Sequence, residues 1–280
     1  MKIFTIDTGL FKLDGGAMFG VVPKSMWQKL NEPDENNMCT WASRSLLLQD
    51  GANLILIDTG LGNKQDSKFF SRYHLQGDDT LEKSLAKHGF TPSAITDVFL
   101  THLHFDHCGG AIIRQDEQLV PAFENAVYWS NRKHWNWAIY ANDREKASFL
   151  EENIVPIRSS GKLQFIEVQD GVFFTDTMKI RFVYGHTDAM MLPQITYKGK
   201  TIIFASDLIP SAAHIPLPYV AAYDMFPMQT LKEKKFFLEE AFENEYILFF
   251  QHDPEIECAT LQKTDKGIRV KDTFKLSDLG

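Results

Sequence analysis

The 280 residues read as a mixed α and β protein, and three observations carry that reading. Short apolar, β-rich runs recur at 98–100, 180–184, 201–206 and 246–251. Segments with helical spacing stand between them. Residues able to bind metal follow these runs, and ligand sites in α/β sheets gather outside the carboxyl ends of strands.

Taken in order, residues 43–49 and 53–57 pair as strands around Asp50-Gly51, a strong hairpin signal. Residues 80–88 carry Leu81, Leu85 and Ala86 before Gly89, the pattern of an amphipathic helix with a glycine stop. The aromatic-rich stretch 130–150 reads as helix, and 180–184 as a strand. Residues 195–198 pair with 201–205 across Gly199-Lys200, and 231–243 form a helix whose Leu231, Phe237, Leu238 and Phe242 share a face. The longest irregular stretch, 30–37, is a polar surface loop. No low-complexity tract or fixed-period repeat divides the chain, so a single domain over 1–280 is expected.

A net charge of -8 and a pI near 5.6 argue against nucleic acid as a partner, because phosphate backbones need clustered Lys and Arg. No apolar run is long enough to span a bilayer, and the first residues meet a charge too early for an export signal. A cytoplasmic protein with no membrane partner, monomer or homodimer, is expected. Cys39, Cys108 and Cys258 form no C-x-x-C pair, so reduced thiols are the default, and Cys108 suits packing better than ligation.

The chemistry is concentrated in His102, His104, Asp106 and His107, which lie within six residues after the run 98–100. Imidazoles and carboxylates are zinc's ligands, and histidines two apart suit a strand end rather than a helix face. Further candidates follow strands in turn: His186 in Gly185-His-Thr-Asp188, Asp207 after 201–206, and His252 after 246–251. Singly, such residues are more often turn or cap residues; as an ordered series they point to metal. His74, His88 and His134 lie in charged or turn-rich stretches and are expected to face solvent, while His214 could approach the site without ligating. Asp58, in Asp-Thr-Gly60 after an apolar strand, either opens a turn or accepts a bond from a ligand histidine.

The run His102-Leu-His-Phe-Asp-His107, followed by Gly109-Gly110, resembles the H-x-H-x-D-H signature of the metallo-β-lactamase superfamily. That resemblance implies an α+β, four-layer αββα sandwich. It also implies two divalent metal ions, zinc with manganese or iron as alternatives. His102, His104 and His186 would hold one ion, Asp106, His107 and His252 the other, and Asp207 would bridge them around a hydroxide. Asp58 would support the ligands from behind. Some members carry cysteine where Asp207 stands, which points away from the lactamases themselves.

Leu13-Asp-Gly-Gly-Ala-Met-Phe-Gly20, Arg144-Glu-Lys-Ala-Ser-Phe149, Ser206-Asp-Leu-Ile-Pro-Ser-Ala-Ala-His214 and Tyr223-Asp-Met-Phe-Pro227 resemble the branch of quorum-quenching N-acyl homoserine lactonases and methyl parathion hydrolase. A lactonase is therefore expected, with a phosphotriester hydrolase as the alternative. A thioester hydrolase of the second-glyoxalase type is disfavoured, because little chain follows His252 to supply its basic glutathione-binding region. A non-enzymatic metal protein is least expected, since seven ligands on two ions leave positions open. Lactonases carry a tyrosine three residues after the bridging Asp, where this chain has Pro210; Tyr223 is the candidate substitute. Asp106 is the expected proton carrier. Met18, Phe19, Phe105, Trp135 and Trp137 are candidate walls for a small substrate with an apolar acyl or aryl part.

Overall fold

The computed structural model describes residues 1–280, and the chain divides into two compact units. The first comprises Met1–Gly9 and Ser43–Val168, the second Leu10–Ala42 and Gln169–Gly280. No helix is long and apolar enough to cross a membrane.

The first unit holds most of a sheet of six strands in the order Lys2–Asp14, Met38–Asp50, Asn53–Ile57, Asp97–Phe99, Val127–Asn131 and Leu163–Ile166. Its expected hairpin is present, with Asp50 opposite Asn53 and Leu46 opposite Ile57. From Asn53–Ile57 onward the neighbours run parallel. Parallel strands are buried on both faces, which explains the unbroken apolar run of Leu54 to Ile57. Leu85, Trp135, Ala138, Ile154 and Ile157 from helices Leu81–Lys87, Arg132–Ile139 and Glu151–Ser159 close over Leu47, Leu56, Val98 and Tyr128. Each such side chain contributes roughly 1.5–3 kcal/mol of burial.

The first of these helices starts where Thr80 accepts from the Lys83 amide, as the sequence predicts. The stretch 130–150 departs from expectation. Its helix covers only Arg132–Ile139, and after it Asn142 accepts from the amides of Arg144 and Glu145, turning the chain. Asparagine side chains compete with the helix for these donors, and aromatic spacing hid that break.

The second unit is a seven-stranded sheet in the order Gly267–Phe274, Cys258–Thr264, Ile247–Phe249, Lys200–Phe204, Met190–Tyr197, Met178–Val183 and Val172–Thr175. Tyr197 pairs with Lys200 across Lys198 and Gly199, both at positive φ, the turn that matches strand twist. Only Lys200–Phe204 and Ile247–Phe249 run parallel. Helix Pro227–Glu243 begins four residues earlier than its apolar face suggested, with proline at its first position. It buries Phe237, Leu238 and Ala241 against Leu192, Ile203 and Leu248. Each unit is thus a sheet with helices on it, as the α+β class requires of each half.

Parallel order determines where polar residues meet. In the first unit the carboxyl ends of Asn53–Ile57 and Asp97–Phe99 bring the 58–62 turn against the loop 101–110. Thr59 donates from its amide (2.7 Å) and its hydroxyl (3.0 Å) to the His107 carbonyl, and Gly60 bridges Cys108. A Cβ on Gly109 would lie 2.0 Å from the Leu61 carbonyl oxygen, so only glycine permits this approach. Gly109→Ala is therefore expected to lower stability by about 1–3 kcal/mol, measured by urea unfolding. An unchanged midpoint would mean that the two turns can part without cost.

Candidate metal centre

In the first unit Asp58 is fully buried and stands at φ 58°, a strained position for a residue other than glycine. Its Oδ1 accepts from the Thr101 amide (2.8 Å). Its Oδ2 accepts from the Thr101 hydroxyl (2.7 Å) and from His107 Nδ1 (3.0 Å). The Thr101 hydroxyl, its proton committed to Asp58, accepts from His102 Nδ1 at 3.1 Å. His104 donates from Nε2 to Glu145 Oε1 at 2.9 Å.

These partners assign the tautomers, because a neutral imidazole carries one N–H and one lone pair. The lone pairs of His102 Nε2 and His104 Nδ1 face each other at 3.1 Å. That of His107 Nε2 lies 3.8 Å from Asp106 Oδ1.

The second unit repeats the arrangement. The parallel ends of Lys200–Phe204 and Ile247–Phe249 bring Asp207 and His252 together, with His252 Nε2 3.2 Å from Asp207 Oδ1. His252 Nδ1 donates to the Ala42 carbonyl (2.8 Å), so Nε2 offers a lone pair to the carboxylate. His186 Nδ1 donates to Asp224 Oδ1 (2.7 Å), and its Nε2 faces Asp207 Oδ2 at 3.2 Å. The turn carrying His186 is held by Glu233, which accepts from the Tyr184 and Gly185 amides.

In both units electron pairs therefore converge on electron pairs. Nitrogen and carboxylate donors turned towards one another, with every distal imidazole nitrogen engaged elsewhere, fit divalent cations. His102, His104, Asp106, His107, His186, Asp207 and His252 are metal-site candidates.

The sequence profile of the metallo-β-lactamase superfamily matches residues 40–252, a span that takes in all of these groups. The chain belongs to the metallo-β-lactamase superfamily. Its α+β fold is that superfamily's fold. No curated protein matches the sequence. Among solved structures, a probable metal-dependent hydrolase from Staphylococcus aureus is 28% identical, with 98% of this chain and 96% of that one covered and a TM-score of 0.88. AidC, a dizinc quorum-quenching lactonase in complex with a product homoserine, is 22% identical over 98% of this chain and 95% of its own, with a TM-score of 0.79. An N-acyl homoserine lactone hydrolase with its product at the catalytic metal centre is 18% identical over 91% and 94%, at a TM-score of 0.68.

Several expectations need correction. His134 does not face solvent: it is fully buried, and its Nε2 accepts from the Leu103 amide at 2.9 Å. It follows Val127–Asn131, the third parallel strand, whose end lies beside the ligand loop. His74 and His88 are exposed as expected. His214 approaches the site but both its nitrogens are used, Nδ1 by the Ser211 hydroxyl and Nε2 by the Met18 carbonyl. Cys108 donates to the Leu103 carbonyl, burial pushes its thiol up to about 12, and it stands in neither group of metal-site candidates.

Tyr223 is 39% exposed, whereas its neighbour Asp224 is the residue that meets His186. The sequence reading missed Asp224 and Glu145, although both lie in motifs it quoted. Buried carboxylates are uncommon without a partner, but burial is not visible from sequence alone. Of the candidate walls, Trp135 packs in the core, and Phe19 stacks between His214 and Trp27. Phe105 meets Phe69 and Tyr73, and burial followed by the charge of Asp106 raises the Tyr73 phenol to about 12. A cleft of about 600 Å³ beside Phe69 and Phe149 is not the apolar pocket expected, being lined also by Lys64, Asp66, Arg114 and Glu152.

Burial holds His214 down at about 3, well below the usual histidine range. The folded protein keeps it neutral where an unfolded chain takes up a proton near pH 6.5. Its contribution to stability is therefore full above that pH and is lost as pH falls towards 3. Between pH 6.5 and 5 the loss from this group is about 2 kcal/mol. Chemical unfolding of wild type and His214→Asn at both pH values should show a flatter dependence in the variant; parallel curves would contradict it.

Proposed function

We propose that this protein is a dinuclear metal-dependent lactonase acting on N-acyl homoserine lactones or similar small lactones. In this reading His102, His104 and His186 hold one divalent ion, Asp106, His107 and His252 a second, and Asp207 is shared. The observation that carries it is the convergence of imidazole lone pairs and carboxylate oxygens, with each histidine's other nitrogen engaged by an acceptor. The lactonases of similar fold support the choice of substrate class.

Bound metals of this kind polarise a carbonyl oxygen and acidify water towards neutral pH. The chain's own groups do the rest. Asp106 stands at the start of the short helix Phe105–Cys108, beside His107, with a carboxylate able to carry a proton. Water that adds to a lactone carbonyl must shed a proton, and the ring oxygen that leaves as an alkoxide must gain one; Asp106 takes up the first proton and hands it to the ring oxygen as its bond breaks. Tyr223, next in sequence to Asp224, is the group proposed to meet the substrate carbonyl where Pro210 leaves no hydroxyl. Asp58 orients His107 and, through Thr101, His102.

Metal analysis after dialysis against zinc should find about two ions per chain, and Asp207→Ala should weaken both, since it removes the shared ligand. Saturation at one ion would defeat the dinuclear reading. A pH-indicator screen of lactones should show ring opening; turnover of phosphotriesters with none of any lactone would transfer the assignment to that class. At equal metal content, Asp106→Asn should cut kcat on a lactone about 100-fold or more, and much less on a nitrophenyl ester, whose leaving group departs unaided. Equal losses on both would reduce Asp106 to a ligand.

A further inference from the structure

Glu145 lies in a segment that no expectation assigned to the site, yet it is only 3% exposed and its carboxylate is engaged from several sides. Oε1 accepts from His104 Nε2 at 2.9 Å, and Oε2 accepts from the Trp137 indole N–H at 2.6 Å and from the Asn142 amide at 3.4 Å. The same segment docks on the ligand loop by a second bond, from the Phe105 amide to the Ser148 carbonyl (2.9 Å). The Phe149 ring lies 4.8 Å from the His104 imidazole. The turn after Ile139 that breaks the expected helix is what carries Glu145 back to His104.

An unpaired buried carboxylate costs several kcal/mol, so its retention here calls for a function that its partners share. We propose that Glu145, held by Trp137, is a positioning residue that sets the affinity of the ion on His104, and hence of one of two ions only. This rests on the dinuclear reading above. The physical ground is that accepting from Nε2 excludes the tautomer with hydrogen on Nδ1, keeps the ring from rotating, and puts a negative charge behind it that strengthens Nδ1 as a donor. Trp137 acts through Glu145, since its indole N–H holds the carboxylate oxygen that does not face His104.

The test is competition for zinc between a chromogenic chelator and the metal-free full-length protein, resolved into successive equivalents. Wild type, Glu145→Gln, Trp137→Phe and the double variant are compared, with circular dichroism and thermal unfolding of the metal-free forms as controls. Glu145→Gln should weaken one equivalent by about 10- to 100-fold and leave the other unchanged. Trp137→Phe should weaken the same equivalent by a smaller factor, and the double variant by less than the product of the two. If Glu145→Gln fails to fold because its amide meets the indole donor, the double variant removes that clash and gives the reading.

Two equivalents in wild type with both unchanged in the folded variant would overturn this proposal alone. Equal weakening of both would also overturn it, as the mark of a general structural loss. A wild type that binds no zinc would overturn the dinuclear reading and this proposal together.

Discussion

The loop 101–110 of the first unit, which carries metal-site candidates, depends on one buried carboxylate. Asp58 accepts from the Thr101 amide, the Thr101 hydroxyl and His107 Nδ1, and through the hydroxyl it also determines how His102 presents its ring. A group with no solvent exposure and three donors is satisfied only if the 58–62 turn and the 101–110 loop are both in register. The parallel pairing of Asn53–Ile57 with Asp97–Phe99 provides that register, and the Asp58 amide adds a bond to the Phe99 carbonyl. The glycines at 109 and 110 then let the two turns touch at backbone distance.

The same principle is used with different parts elsewhere. His104 is backed by Glu145, His186 by Asp224, and His252 by the neutral carbonyl of Ala42. His134, which holds no lone pair outward, instead accepts from the Leu103 amide and braces the ligand loop from the neighbouring strand. Lys64 adds a further strut, its ammonium reaching the Gly109 carbonyl at 2.5 Å, with burial lowering it to about 8. In the second unit the fully buried Lys234 does comparable work, donating to the carbonyls of Pro216, Leu217 and Tyr219 in the stretch that leads to Asp224. These polar contacts place donors rather than fill space, and burial makes each of them costly to leave unmade.

Facing lone pairs at about van der Waals separation are an unfavourable arrangement in a low-dielectric interior. They persist because each ring is tied at its far nitrogen and cannot turn away. Local strain accompanies this: Asp58 and Ser206, the residue before Asp207, both stand at positive φ without being glycine. Such strain beside metal-site candidates costs about 1–3 kcal/mol per residue and persists only because the surrounding contacts over-determine it.

Much of this was legible in the sequence for definite reasons. The metal-site candidates could be picked out because H-x-H-x-D-H has few other chemical uses, and the hairpin about Asp50-Gly51 because its turn chemistry is local. The early break in the 130–150 helix was hidden, since aromatic spacing outweighed the asparagine turn signal at Asn142. His134 was misplaced because its surroundings are polar in sequence while the end of a third parallel strand buries it. By itself, then, the sequence determined which residues can donate to a metal and the period of the elements that carry them, both short-range properties. Only the tertiary structure decided which carboxylates stand behind which histidines. Glu145 and Asp224 are tens of residues from their partners, and only strand order and burial select them from the chain's many acidic side chains.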